Sequence, residues 1–218
     1  MPDSLPIVSI PDLRPSALPQ PPGRARGHGA AAAGLLDELG RWDPASRSHS
    51  DRVAAASAAF GQFLGLDRAA QSLLERAAWV HDIGKLRVPR AILQKDGPLT
   101  DAEYLRVKAH AADGAAILSG AGFDDDLVEV VGMHHEWWNG CGYPNGCSGT
   151  EIPEAARIIA VVDAWDAISA RRSYHRRRPE FLALSEIRTG SGTQFDPDLA
   201  PAFIDHVMQR IMGSRDAA

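Results

Sequence analysis

Seven side chains that attract metal ions interrupt stretches whose other residues form apolar helical faces: His49, His81, Asp82, His110, His134, His135 and Asp163. Asp163 follows the run Ile158-Ile159-Ala160-Val161-Val162, and His81-Asp82 follows a segment carrying Leu73, Leu74, Ala77, Ala78 and Trp79. Burying an ionised aspartate or an unpaired imidazole costs roughly several kcal/mol unless a partner compensates it. A fold that accepts all seven must gather them around something that satisfies them jointly, and a divalent cation does so. A single helical histidine is ordinarily solvated or satisfied within the core, and His28 and His206 are read that way.

Periodicity and punctuation make the chain helical from Ala30 onward. A helix over Ala30 to Arg41 stops at Asp43-Pro44, and a second runs from Ser46 to Leu64 with Gly65 ending it. Asp67 is a good N-cap for Arg68 to Asp82, and Gly84 closes that segment. Thr100 with Glu103 three residues on forms a capping box that starts a helix to about Ser119. Further helices are expected over Asp124 to Trp137, Pro153 to Ala170, Pro179 to Arg188 and Pro197 to Met212. A loop carrying Gly140, Gly142, Gly146 and Gly149 separates the first two of these. Strand signals are nearly absent, so the expected architecture is an all-α bundle of about seven to eight helices around a metal centre.

Seven of the 15 prolines fall within residues 1–22, a spacing no helix or strand survives. Residues 1–28 therefore read as a disordered leader or the remnant of a linker, residues 29–213 as the folded domain, and residues 214–218 as a disordered tail. The net charge of -5 argues against broad nucleic-acid binding, which needs a basic surface. No stretch approaches the roughly 20 apolar residues of a membrane helix. The two cysteines, Cys141 and Cys147, share one glycine-rich stretch. They make no disulfide framework, and a reduced cytoplasmic setting is the simplest expectation.

The candidate ligands offer only nitrogen and oxygen. That set suits Fe, Mn, Zn, Co or Ni and excludes a thiolate structural zinc site. An aspartate can bridge two cations, which a histidine cannot do through one nitrogen.

The order of these residues is similar to the HD-GYP family of metal-dependent phosphohydrolases. The resemblance rests on His81-Asp82-Ile83-Gly84-Lys85 and on His134-His135-Glu136-Trp137-Trp138-Asn139-Gly140-Cys141-Gly142-Tyr143-Pro144. His49-Ser50-Asp51-Arg52-Val53, Gly97-Pro98-Leu99-Thr100, Lys108-Ala109-His110, Asp163-Ala164-Trp165-Asp166-Ala167 and Gln194-Phe195-Asp196-Pro197 extend it over roughly residues 43–210. It implies a helical bundle that hydrolyses the second messenger cyclic di-GMP to pGpG, and onward to GMP, by attack of a metal-bridging hydroxide.

Carried over, the resemblance makes all seven residues metal ligands and Asp82 and Lys85 the catalytic pair, with Lys85 gripping a phosphate oxygen. Arg172 and His175 would meet substrate phosphate, His175 with a dependence on pH. Tyr143 would either pack under its loop or line the substrate cleft. Two metals are expected, Fe or Mn first, with Zn, Co and Ni compatible. Ala45 stands where three-metal relatives place a glutamate, which disfavours a third. Asn139 replaces an acidic residue usual before the loop glycine, and Ser173 and His175 stand where proline and a basic residue are more common. Another cyclic dinucleotide, a nucleotide, or a non-catalytic signalling role remain open, as does a homodimer or a separate regulatory protein as partner.

Overall fold

The computed structural model describes residues 28–169 and 180–213, and these are almost entirely helical. The leader and tail read from the sequence lie outside them, apart from His28, which begins the first helix. In chain order the helices are α1 (His28–Trp42), α2 (Pro44–Phe63), α3 (Arg68–Val80), the short α4 (Arg90–Leu93), α5 (Asp101–Lys108), α6 (His110–Gly120), α7 (Asp125–Met133), α8 (Glu154–Ser169), α9 (Glu180–Gly190) and α10 (Leu199–Gly213). Two 3-10 turns, Ile83–Arg87 and Gly149–Glu151, complete the series. Extended pairing among the described residues is limited to isolated bridges, Asn139 with Ser148 and Ser191 with Phe195.

The local punctuation acts as the residue types dictate. Asp43 caps α2 by accepting from the Ala45 amide, with Pro44 at the first helical position. The same helix ends in a Schellman arrangement. Gly65 adopts φ 73°, its amide donates to Gln62 O, and the Leu66 amide donates to Gly61 O. Asp67 caps α3 through the Ala69 and Ala70 amides, both at 2.9 Å. Thr100 and Glu103 form the reciprocal capping box of α5.

One apolar core joins the helices. α2 packs on α3 and α8, α6 lies against α7 and the 83–87 turn, and α10 closes over α8 and α9. Phe60, Leu74, Ile83, Leu118, Leu127, Ile158, Ile159 and Phe203 are fully enclosed, each contributing about 1.5–3 kcal/mol of transfer energy. Phe60 meets Phe203 edge-on at 5.0 Å, and His206 lies against the same rings, an ordinary core histidine. No helix among the described residues is long and apolar enough to cross a membrane.

Three boundaries at the candidate site differ from the sequence expectation. α3 ends at Val80, so His81 is its C-cap and Asp82 leads into the 83–87 turn. Gly84 is therefore not a helix terminator. It is required by close approach, since a Cβ there would stand 1.9 Å from the His110 carbonyl and 2.5 Å from the Gly114 amide. The single helix expected from Thr100 to about Ser119 is broken at Ala109 into α5 and α6. Likewise α7 stops at Met133, leaving His134 as its C-cap and His135 beyond it.

Candidate metal centre

Those helix ends explain how the site is built. The last carbonyls of a helix have no partner within it. In α3, α5 and α7 one of them is taken by a histidine ring three residues on. His81 Nδ1 lies 2.7 Å from Ala78 O, His110 Nδ1 2.6 Å from Val107 O, and His134 Nδ1 2.7 Å from Val131 O. A carbonyl only accepts, so each Nδ1 carries its proton, and a ring in its neutral form keeps its lone pair on Nε2. All three Nε2 atoms are turned inward. The C-termini of α3 and α7, the negative ends of their dipoles, thus meet at the cluster and favour a cation there.

Two of those lone pairs face each other. His110 Nε2 and His134 Nε2 are 3.3 Å apart, too close to be indifferent and with no proton between two neutral rings. His81 Nε2 is buried without any hydrogen-bond partner. Orphaned buried acceptors of this kind fit a shared cation, which would complete them together.

Asp82 and Asp163 supply the charge. Asp82, only 2% exposed, sets Oδ1 3.4 Å from His110 Nε2, and Oδ2 3.7 Å from His81 Nε2 and 3.8 Å from His49 Nε2. Asp163 Oδ1 lies 2.8 Å from His49 Nε2. Three overlapping triads have ligand atoms within 4.8 Å of one another: His110-His134-His135, His49-His81-Asp163 and His81-Asp82-His134. Together they contain all seven residues singled out from the sequence, drawn from α2, α8, the start of α6 and the ends of α3 and α7. His81, Asp82, His110 and His134 are buried, whereas His49, Asp163 and His135 are half-buried, so the cluster opens on their side.

Electrostatics separate the groups. Burial, followed by the neighbouring histidines, holds His134 well below the usual imidazole range, and burial pushes His135 down to about 3. Both rings are neutral, as metal ligation requires. Burial alone would raise the Asp82 pKa, but Lys85 and then the surrounding imidazoles hold it well below the carboxylate range. Lys85 Nζ is 2.5 Å from Asp82 Oδ2, and although burial opposes its charge, Asp82 keeps it raised and protonated. His49 differs from the other histidines. Burial opposes its charge, yet hydrogen bonds to Asp163 and Asp166 and the field of Asp82 raise its pKa to about 10.

The loop after His135 is fastened to the cluster. Glu136, buried, accepts the Asn145 amide at 2.6 Å and the Gly146 amide at 3.0 Å. Gly142 lies so close that a Cβ would sit 2.2 Å from the Trp137 amide. Asn139 Oδ1 accepts the Cys141 amide at 3.0 Å, so the asparagine serves as a turn residue. Tyr143 is half-buried, its ring 4.9 Å from that of His135 and its amide donating to His135 O. It therefore packs against a candidate ligand. Arg172 and His175 lie outside the described residues.

Sequence reasoning missed two supports. Asp166 receives His49 Nδ1 at 2.7 Å and is itself gripped by Arg52 through Nε and Nη2, both at 2.8 Å. The signal was present, since Asp163 and Asp166 are one helical turn apart on α8 and share a face. Glu136 is the other, a carboxylate following the histidine pair whose partners lie nine and ten residues on.

An all-helical bundle with a histidine-carboxylate cluster gathered at its helix ends defines a helical core that could hold metal ions. The family model described as HD domain matches residues 34–199, and the chain belongs to this family. A Vibrio cholerae protein named 3'3'-cGAMP-specific phosphodiesterase 3 is 41% identical over 71% of this chain and 34% of its own length. A Thermotoga maritima protein named cyclic di-GMP phosphodiesterase is 35% identical over 78% of this chain and 47% of its own. The chain thus spans half or less of the length of these relatives. The HD domain of the L. monocytogenes phosphodiesterase PgpH, solved with cyclic-di-AMP, superposes with a TM-score of 0.64 over 83% of this chain and 96% of that one, at 17% identity.

Proposed function

We propose that this chain is a cytoplasmic metal-dependent phosphodiesterase that hydrolyses cyclic di-GMP to pGpG, with GMP as a further product. Residues 29–213 form its catalytic unit, between a proline-rich leader and a short tail. The observation that carries this reading is the pair of Nε2 atoms of His110 and His134, 3.3 Å apart with both Nδ1 protons committed to carbonyls, beside the Asp82 carboxylate. Such donors are satisfied by cations and by little else. Relatives whose names specify cyclic dinucleotides support the substrate class.

His49, His81, Asp82, His110, His134, His135 and Asp163 would hold two divalent ions, Fe or Mn first. Bound there, the ions would supply Lewis-acid polarisation of a phosphodiester and would acidify water. The chain's own residues do the rest. Lys85, held charged by Asp82 at 2.5 Å, stands where negative charge develops on the phosphate and stabilises it. His135 and Tyr143 shape the open side, and Arg172 and His175 are proposed contacts for substrate phosphate. A second reading keeps the centre and changes the substrate to 3'3'-cGAMP, favoured by the 41% identity to the Vibrio cholerae relative.

The test is a product assay of Mn- or Fe-loaded protein against cyclic di-GMP, 3'3'-cGAMP, cyclic di-AMP and linear nucleotides. Release of pGpG from cyclic di-GMP is expected. Faster turnover of 3'3'-cGAMP would shift the assignment to the second reading, and preference for a linear nucleotide would displace both.

A further inference from the structure

Every half-buried cation but one among the described residues is spoken for by a carboxylate: Arg47 by Asp51, Arg76 by Asp124, Lys85 by Asp82, Arg106 by Asp113 and Arg157 by Asp196. Lys108 is the exception that matters. It is half-buried, and among the described residues it has neither a carboxylate nor a hydrogen-bond partner. Its ammonium instead lies between two aromatic rings, 5.0 Å from the centre of Tyr143 and 5.4 Å from that of Tyr104.

Its place is equally specific. Lys108 follows Val107, whose carbonyl fixes His110, and precedes His110 by two residues. The Tyr143 ring beneath it leans on His135, on the open side of the cluster. Tyr104, one helical turn earlier on α5, is 53% exposed and carries the Lys108 ammonium over its ring. A fixed positive charge and an exposed aromatic therefore stand beside the opening of a centre that takes a phosphodiester.

A cyclic dinucleotide carries two phosphodiesters and two bases on one ring. When one phosphodiester enters the cluster, the other half of the molecule must lie outside it, at the rim. Lys85 cannot serve that half, being committed to Asp82 inside. We propose that Lys108 and Tyr104 receive the half of the cyclic dinucleotide that is not being cleaved, Lys108 taking its phosphodiester and Tyr104 stacking on its base. The pair distinguishes cyclic dinucleotides from small diesters. This inference rests on the functional reading above.

The experiment compares cyclic di-GMP with bis(p-nitrophenyl) phosphate, a small diester with no second phosphate, on the full metal-loaded chain. Lys108→Gln is expected to lower kcat/KM for the cyclic dinucleotide relative to the small diester by about tenfold, mainly through KM. Tyr104→Ala lowers the same ratio by about fivefold, and Lys108→Arg restores most of it. Equilibrium binding of a phosphorothioate cyclic dinucleotide should weaken in parallel. An unchanged ratio, whether both substrates suffer alike or neither does, overturns the proposal. Wild-type protein that cleaves the small diester but binds no cyclic dinucleotide overturns the functional reading itself, and this inference with it.

Discussion

One wall of the cluster is built by backbone and the other by side chains. His81, His110 and His134 hang from carbonyls in the last turns of α3, α5 and α7, so their rings are aimed as soon as those helices end. His49, within α2, is aimed by Asp166 from α8, which Arg52 holds in turn. The backbone wall presents neutral lone pairs whether or not a cation is present. The side-chain wall carries a proton until a cation displaces it, and that proton marks it as the responsive half.

Asp82 touches both walls, so its loss should have the largest effect. Asp82→Ala is expected to reduce phosphodiester hydrolysis about 10³-fold or more, measured as product release at saturating metal. Near-normal activity would mean that the two walls work without a bridge.

Asp166→Asn attacks only the side-chain wall. It keeps the size of the residue but weakens its hold on the His49 Nδ1 proton, and metal affinity should fall about 10–100-fold, measured by competition with a chelator. An unaltered affinity would show that His49 is aimed by its helix alone, erasing the distinction between the walls.

The smallest expected effect is on the stability of metal-free protein against pH. Folded His49 keeps its proton to about pH 10, while in the unfolded chain it is lost near 6.5. Its contribution is complete below 6.5 and disappears as pH rises through 10, because the folded state then binds more protons than the unfolded one. His135 works in the opposite sense. Its folded pKa of about 3 means that stability declines as pH falls from 6.5 towards 3. Urea midpoints of metal-free protein should therefore decline from pH 6.5 towards 10, and loading with metal should flatten that decline.

The residue types of the cluster were legible in the sequence because each is costly inside an apolar helical pattern, and that cost is a local property. The capping box at Thr100, the Schellman end at Gly65 and the cap at Asp67 were legible for the same reason: their chemistry lies within three residues. The break at Ala109 was not, since alanine is the best helix former and nothing local marks a helix end there. Gly84 read as a helix stop because the His110 carbonyl that forbids a side chain there comes from a segment 26 residues on. Asp166 and Glu136 were visible as charges. Their roles depend on partners in other segments that no spacing rule reaches.

The central claim is that seven residues drawn from five helices or their ends hold cations in common. Elemental analysis of the freshly purified full chain, beside its Asp82→Ala variant, tests it most directly. The account predicts about two first-row metal ions per chain in the wild type and a marked loss in the variant. Equal metal content in both, or hydrolysis by a wild-type protein stripped of metal, would contradict it.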